Sequence, residues 1–293
     1  MDRRERLIYS PIPERKKLLI DNKSKLIVWV IVNIEVWDPS QPQPRNVLPP
    51  PMNIPMLPDL PNWSWHEYGM RVGFWRFVET LKSRKITPTL ALNGIVVDYY
   101  PKAVEEALNL DWELMVHGFI QRPMHKVDNE YVDIKTTIEK IKNFSNKDII
   151  GWESPGLTET LDTLDVLADN GIKYVADWVI DDQPQDLIVK NKNRMLALPY
   201  TVEMNDVVIT AVQNHSSNEI FERGKAQFEQ LYKESKQTTK IMSISIHPYL
   251  TGVPHRINYL NKLLDYISDH DDVVFMTGEE INNWYCKNVD ILS

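Results

Sequence analysis

The first strong apolar segment is Lys25–Glu35, KLIVWVIVNIE, nearly continuous in β-branched residues and ending on a carboxylate. A strand covered on both faces reads this way. From Gly73 onward two kinds of apolar spacing alternate. Helical spacing predicts helices over Phe74–Arg84, Asp98–Asn109, Asn129–Asn143, Thr160–Asn170, Ser217–Glu234 and Pro254–Asp269. Short β-rich runs between them predict strands at Thr87–Gly94, Glu113–Phe119, Asp148–Pro155, Tyr174–Val179, Met195–Thr201, Lys240–Pro248 and Val273–Thr277. A βαβα series of this length implies a parallel sheet with helices outside. The predicted class is α/β, a distorted (β/α) barrel of about seven strands that closes or nearly closes.

Two stretches break the alternation. Residues 1–24 are charged and punctuated by proline, which predicts an arm lying on the surface or on a neighbouring subunit. After the first strand, residues 38–66 form a proline-rich insertion within a single domain spanning 25–293. Proline at this density forbids regular helix and interior strand. Yet Met52, Ile54, Met56, Leu57, Leu60, Trp63 and Trp65 are too apolar for a solvated linker. The segment is expected over the mouth of the barrel or against another subunit.

The polar residues at strand ends are the candidate chemistry. They are Glu35, His117 after ELMV, Glu153 within GWESPG, then Asp177 and Trp178 with Asp181 and Asp182 just beyond, and His247 closing KIMSISIHP. In a parallel barrel such positions converge on one face, so two histidines and several carboxylates would meet in one cavity. Such a set performs acid/base or metal-assisted hydrolysis. Taken alone, His247 reads equally as a hydrogen-bonded strand terminus, and Glu153 as a loop or helix-capping carboxylate. His66 and His255 are expected at the surface or at helix starts.

Composition narrows the partners. The 293 residues carry a formal charge of −8, with no footprint for nucleic acid or an anionic membrane. A small-molecule substrate fits better. Cys286 is the single cysteine, so no internal disulfide forms, and the start MDRRERLIYSPIPERKK lacks the apolar core of a signal peptide. No apolar run reaches about 18 residues, so a cytoplasmic protein is expected.

Five segments, in order, resemble a known superfamily. EYGMRVGFW (Glu67–Trp75), DWELMVHG (Asp111–Gly118), ADWVIDDQP (Ala176–Pro184), LPYTVEMND (Leu198–Asp206) and MSISIHPYLTGVPHR (Met242–Arg256) are similar to the polysaccharide deacetylases of carbohydrate esterase family 4. The similarity is closest to the branch holding a metal-independent allantoinase, and it spans about Lys25 to Trp284. It implies the distorted barrel independently of the periodicity. The departures matter as much. Metal-dependent deacetylases carry an aspartate pair at the first strand end, where this chain has Asn33-Ile-Glu35. Their second metal histidine, four residues after the first, is here Gln121. That set looks like a site without its metal, since zinc takes three protein ligands even in open sites. The alternative is a divalent metal such as zinc at Glu35, His117 and His125. Glu153 stands near the place of a family arginine and suggests binding of amide N–H groups instead of a sugar.

The resulting reading is a hydrolase of a non-peptide C–N bond that opens a cyclic amide such as a hydantoin, ureide or imide, without a cofactor. His247, Glu35 and His117 are its expected catalytic residues. Glu153, Gln121, Asp177, Trp178, Asp181, Asp182 and His125 are expected around the substrate, with Trp63 and Trp65 as possible pocket walls. A metal-dependent N-deacetylase of an amino sugar or peptidoglycan is the first alternative. A catalytically inactive barrel serving binding or assembly is the second. The allantoinase branch uses an extra segment for subunit contacts, which implies a homo-oligomer, a tetramer.

Overall fold

A computed structural model describes residues 2–54 and 56–290. Among these residues nine strands form one sheet: β1 (Leu26–Ile34), β2 (Thr89–Leu92), β3 (Glu113–Val116), β4 (Gly151–Trp152), β5 (Tyr174–Val175), β6 (Gln185–Leu187), β7 (Met195–Ala197), β8 (Lys240–Ile246) and β9 (Val273–Phe275). The order is β6-β7-β5-β4-β3-β2-β1-β8, with β9 beside the start of β1. Every pairing is parallel except that of β6 with β7. The distorted barrel is therefore as the periodicity predicts, with a larger strand count. The antiparallel β6 lies in the polar loop before β7, where no apolar period marks it.

The sheet curls without a full ladder between its ends. The chain after β7 crosses to β8 mostly through side chains: the Ser243 amide donates to Thr201 Oγ1 at 3.1 Å, and the Tyr200 hydroxyl to Ser245 Oγ at 2.8 Å. Serine at alternate positions of an otherwise apolar β8 supplies these seam partners.

Helices cover the outside: α1 (Leu60–Tyr68), α2 (Phe74–Ser83), α3 (Val96–Tyr99), α4 (Pro101–Asn109), α5 (Glu130–Ser145), α6 (Thr163–Asp169), α7 (Glu219–Glu234), α8 (Pro254–Ser268) and α9 (Gly278–Asn288). Two corrections arise here. The insertion is not irregular throughout, because α1 starts at Leu60 under an Asp59 cap and runs through a wide turn at Gly69–Gly73 into α2. Past the last strand, α9 starts at a Thr277–Glu280 capping box.

Strand periodicity decides which side chains enter the barrel. Along β1, Leu26, Val28, Val30, Val32 and Ile34 pack outward against the helices, while Ile27, Trp29 and Ile31 fill the interior. Side chains alternate between faces, so Asn33 and Glu35 continue the inward row past the apolar core. The same count sends Ser243, Ser245 and His247 inward on β8.

The described part of the arm, residues 2–24, lies on its own barrel. Arg6 is buried against Asp165 at 2.8 Å, Arg15 pairs with Asp181 at 2.6 Å, and the Leu18 amide donates to Thr238 Oγ1 at 2.9 Å. Among the described residues no helix is long and apolar enough to cross a membrane.

Candidate active site

The inward row ends in a cavity of about 300 Å³ at the carboxyl ends of the strands. Its floor is Glu35, His117, Glu153 and His247, contributed by β1, β3, β4 and β8, with Tyr200 and Asn205 from the seam. Four sequence-distant strands thus place four titratable groups in one space.

Glu35 is the centre. Its Oε1 lies 3.5 Å from His247 Nε2 and 3.7 Å from His117 Nε2, and its Oε2 accepts the Trp37 indole N–H at 2.6 Å. Burial alone would raise its pKa, but hydrogen bonds and charge from the two imidazoles outweigh this and hold it well below the usual carboxylate range. The carboxyl group is therefore ionised at neutral pH.

Each imidazole is oriented from behind. The Nδ1–H of His117 donates to the Glu153 carbonyl oxygen at 2.8 Å, because that oxygen can only accept, and Nε2 is left facing the cavity. His247 Nδ1–H donates to Asp206 Oδ1 at 2.6 Å. The other carboxylate oxygen of Asp206 accepts the His247 amide at 2.8 Å and the Thr251 hydroxyl at 2.6 Å. Burial works against protonation of His247, but the Asp206 charge and hydrogen bond, followed by Glu35, lift its pKa to about 10. His117 is also raised, against burial, chiefly by the charges of Glu153 and Glu35.

Glu153 is buried, and its Oε2 has no hydrogen-bond partner. Burial foremost, with the Asp177 charge, overcomes the two histidines and pushes its pKa up to about 7. An unpartnered buried carboxyl aimed into a cavity is a strained arrangement that a ligand N–H would relieve.

Of the other expected residues, Gln121 lines the cavity and its Oε1 accepts from Asn93 at 3.2 Å. The structure does not bring Asp177, Trp178, Asp181, Asp182 or His125 to it. On β5, Tyr174 and Ala176 point inward, so Asp177 shares the outward face with Val175. There its carboxylate accepts the Ser154 amide at 2.6 Å and hydroxyl at 2.7 Å, and so fastens the loop after Glu153. Trp178 donates to Glu159 at 3.0 Å, Asp181 holds Arg15, and Asp182 holds Lys240 at 3.2 Å. His125 is exposed, and its neighbours Pro123 and Lys126 reach the cavity instead.

These placements bear on a metal. Among the described residues no group of three or more His, Cys, Asp and Glu side chains is arranged to hold one. Trp37 occupies one oxygen of Glu35, an amide stands where a second histidine would, and His125 faces solvent. Glu35, His117 and His125 therefore do not make the three-ligand set of a zinc site.

Periodicity also missed several groups. Asp206 and Tyr200 lie in LPYTVEMND, yet nothing local shows that a carboxylate 41 residues upstream will meet His247. His66 is not a surface residue: it is buried, stacked 4.5 Å from Trp37, and burial lowers its pKa to about 4. Trp65 packs edge-on against Trp37 and Tyr249, behind the cavity instead of walling it, and Trp63 joins the same cluster. The proline-rich segment does cover the mouth, since Pro42, Pro44 and Arg45 line it.

Comparison with known proteins agrees with this architecture. The polysaccharide deacetylase family model matches residues 65–175. A Schizosaccharomyces pombe protein provisionally described as a polysaccharide deacetylase is 27% identical over 244 residues, 77% of this chain and 76% of that one. Among solved structures, PuuE allantoinase superposes with a TM-score of 0.82 at 22% identity, covering 92% of this chain and 93% of that one. A Pseudomonas aeruginosa PAO1 protein, provisionally described as a polysaccharide deacetylase, gives 0.81 at 23% identity over 90% and 92%.

Proposed function

From a chain that is a relative of the polysaccharide deacetylases in sequence and in fold, we propose a metal-independent hydrolase of non-peptide C–N bonds that opens small cyclic amides. The observation that carries this reading is the Glu35 carboxylate held between the Nε2 atoms of His117 and His247, whose other ring nitrogens are fixed on the Glu153 carbonyl and Asp206. Cavity size supports it as well: about 300 Å³ suits a single small ring. The likeness to PuuE allantoinase is a likeness of fold, and the substrate class comes from the site.

In this mechanism water sits at the Nε2 face of His117, ordered by Glu35. As its oxygen attacks the substrate carbonyl carbon, its proton passes to Nε2 of the neutral form of His117, whose Nδ1–H is already fixed on the Glu153 carbonyl and whose share grows as pH rises past its raised pKa. The ionised Glu35 stabilises the imidazolium so formed, and the new Nε2–H of His117 faces the oxyanion. When the C–N bond breaks, the leaving nitrogen takes the proton on His247 Nε2. A pKa of about 10 makes His247 the acid and not the base. The ionised Glu153 accepts a ring N–H. The proton gained by His117 then passes to His247 by way of Glu35 Oε1, which faces both Nε2 atoms, so the site is restored, one water is consumed, and a carboxyl and an N–H group are produced.

The test is a panel of hydantoin, dihydrouracil, succinimide, allantoin and chitooligosaccharides, assayed with and without chelator. Ring opening that survives chelation is the expected result. Acetate release requiring an added divalent ion would overturn it in favour of the metal-dependent N-deacetylase.

A further inference from the structure

We propose that Arg45 on the proline-rich segment, with Lys126 on the neighbouring loop, forms a subsite for an anionic group, so that the substrate is a cyclic amide bearing a carboxylate. The inference rests on the amide-hydrolase reading of the same cavity and names its substrate class.

Arg45 lines the cavity. Its Nε is out of contact with solvent and has no hydrogen-bond partner, and its Nη1 reaches only the Pro44 carbonyl, at 2.6 Å. Among the described residues no carboxylate pairs with Arg45 or with Lys126. Five arginines of this chain pair with carboxylates, Arg6 with Asp165, Arg15 with Asp181, Arg84 with Asp265, Arg194 with Asp186 and Arg223 with Glu219, whereas Arg76 and Arg256 rest on the backbone carbonyls of Gly252 and Leu250. What sets Arg45 apart is its place: it lines the cavity that holds Glu35, His117 and His247, with an unpartnered Nε and no carboxylate beside it. A guanidinium N–H removed from water without a partner is costly, and its planar fork matches a carboxylate.

The two cations belong to adjoining segments. The Gln121 amide donates to the Val36 carbonyl at 3.3 Å, and Asp38 feels the charge of Arg122. Charge in the cavity is therefore layered. Glu35 at the floor repels a second anion, so the reacting amide belongs there, and a carboxylate substituent is directed to the rim where Arg45 and Lys126 stand.

The test compares kcat/KM for hydantoin and hydantoin-5-acetate in the wild type, Arg45→Gln and Arg45→Lys. The wild type should favour the carboxylate-bearing ring by about 10-fold or more, the value of one charged hydrogen bond. Arg45→Gln should bring that ratio near one, mainly through KM, and Arg45→Lys should restore part of it. Succinate and succinamide binding, by calorimetry, gives a readout free of turnover: succinate should bind the wild type and weaken about 10-fold in Arg45→Gln. Should that variant misfold, Lys126→Met decides, a lowered ratio upholding the subsite and an unchanged one overturning it. Rings opened with no preference for the carboxylate overturn the subsite and leave the amide-hydrolase reading standing. No ring opening, with Arg45-dependent succinate binding, does the reverse.

Discussion

At the scale of single residues, the roles divide by charge. Glu35 and Asp206 hold His247 between two carboxylates, which fixes its proton, whereas burial keeps Glu153 protonated in part at neutral pH. The pH profile follows. A raised histidine pKa means that the acid form is present below about 10 and lost above it, and Glu153 ionises as pH rises through about 7. Activity should therefore rise as Glu153 ionises through about 7 and as the base His117, raised above its ordinary value, gives up its proton, and fall through about 10 as His247 loses its own. Asp206→Asn removes the main support of the His247 proton, so the upper limb should move down by several pH units and kcat at neutral pH should fall by about 10²–10⁴-fold. An upper limb unmoved in the pH–rate profile of this variant would take His247 out of the proton transfer. The upper limb thus lies well above an ordinary histidine value, because the environment and not the residue type sets it.

At the scale of elements, the loop after β8 carries His247 and is clamped by the wide turn between α1 and α2. Gly73 has ordinary helical dihedrals, so its requirement is space: a Cβ there would fall on the Pro248 carbonyl oxygen, and one on Gly69 would fall against the Tyr249 backbone. Backbone atoms cannot move aside as a flexible side chain can. Gly73→Ala should cost about 1–3 kcal/mol in chemical denaturation and lower kcat by displacing His247. Full stability and full turnover in this variant would show that the α1–α2 turn does not position the site. The same turn explains the motif Glu67–Trp75, whose glycines let a helix lie against the strand-end loop.

At the scale of the molecule, the proline-rich segment faces two ways. Its near end covers the cavity, while Val47, Leu48, Met52, Ile54, Met56, Leu57 and Leu60 are each at least half exposed. A run of this kind marks an association surface. It predicts a homo-oligomer, a tetramer in the reading above, measured by light scattering as a multiple of the 34.3 kDa chain. A monomer at micromolar concentration would overturn this.

The sequence by itself determined the barrel, because alternating apolar periods are local and β1, β8 and the helices each announce themselves within a few residues. It also determined Glu35, His117, Glu153 and His247 as strand-end groups, since a polar residue closing an apolar run is a local signal. Tertiary structure alone decided which strand-end groups share the cavity. On β5 both faces are apolar, so YVADWV does not tell inward Ala176 from outward Asp177, and the acidic residues beyond it pair with Arg15 and Lys240 from distant segments. Asp206 behind His247, Trp37 on Glu35 and the uncompensated Arg45 were likewise legible only once the chain had closed. Each depends on a partner, or on the lack of one, across the fold, and pairing over such sequence distances is set by strand register and packing instead of by any neighbour along the chain.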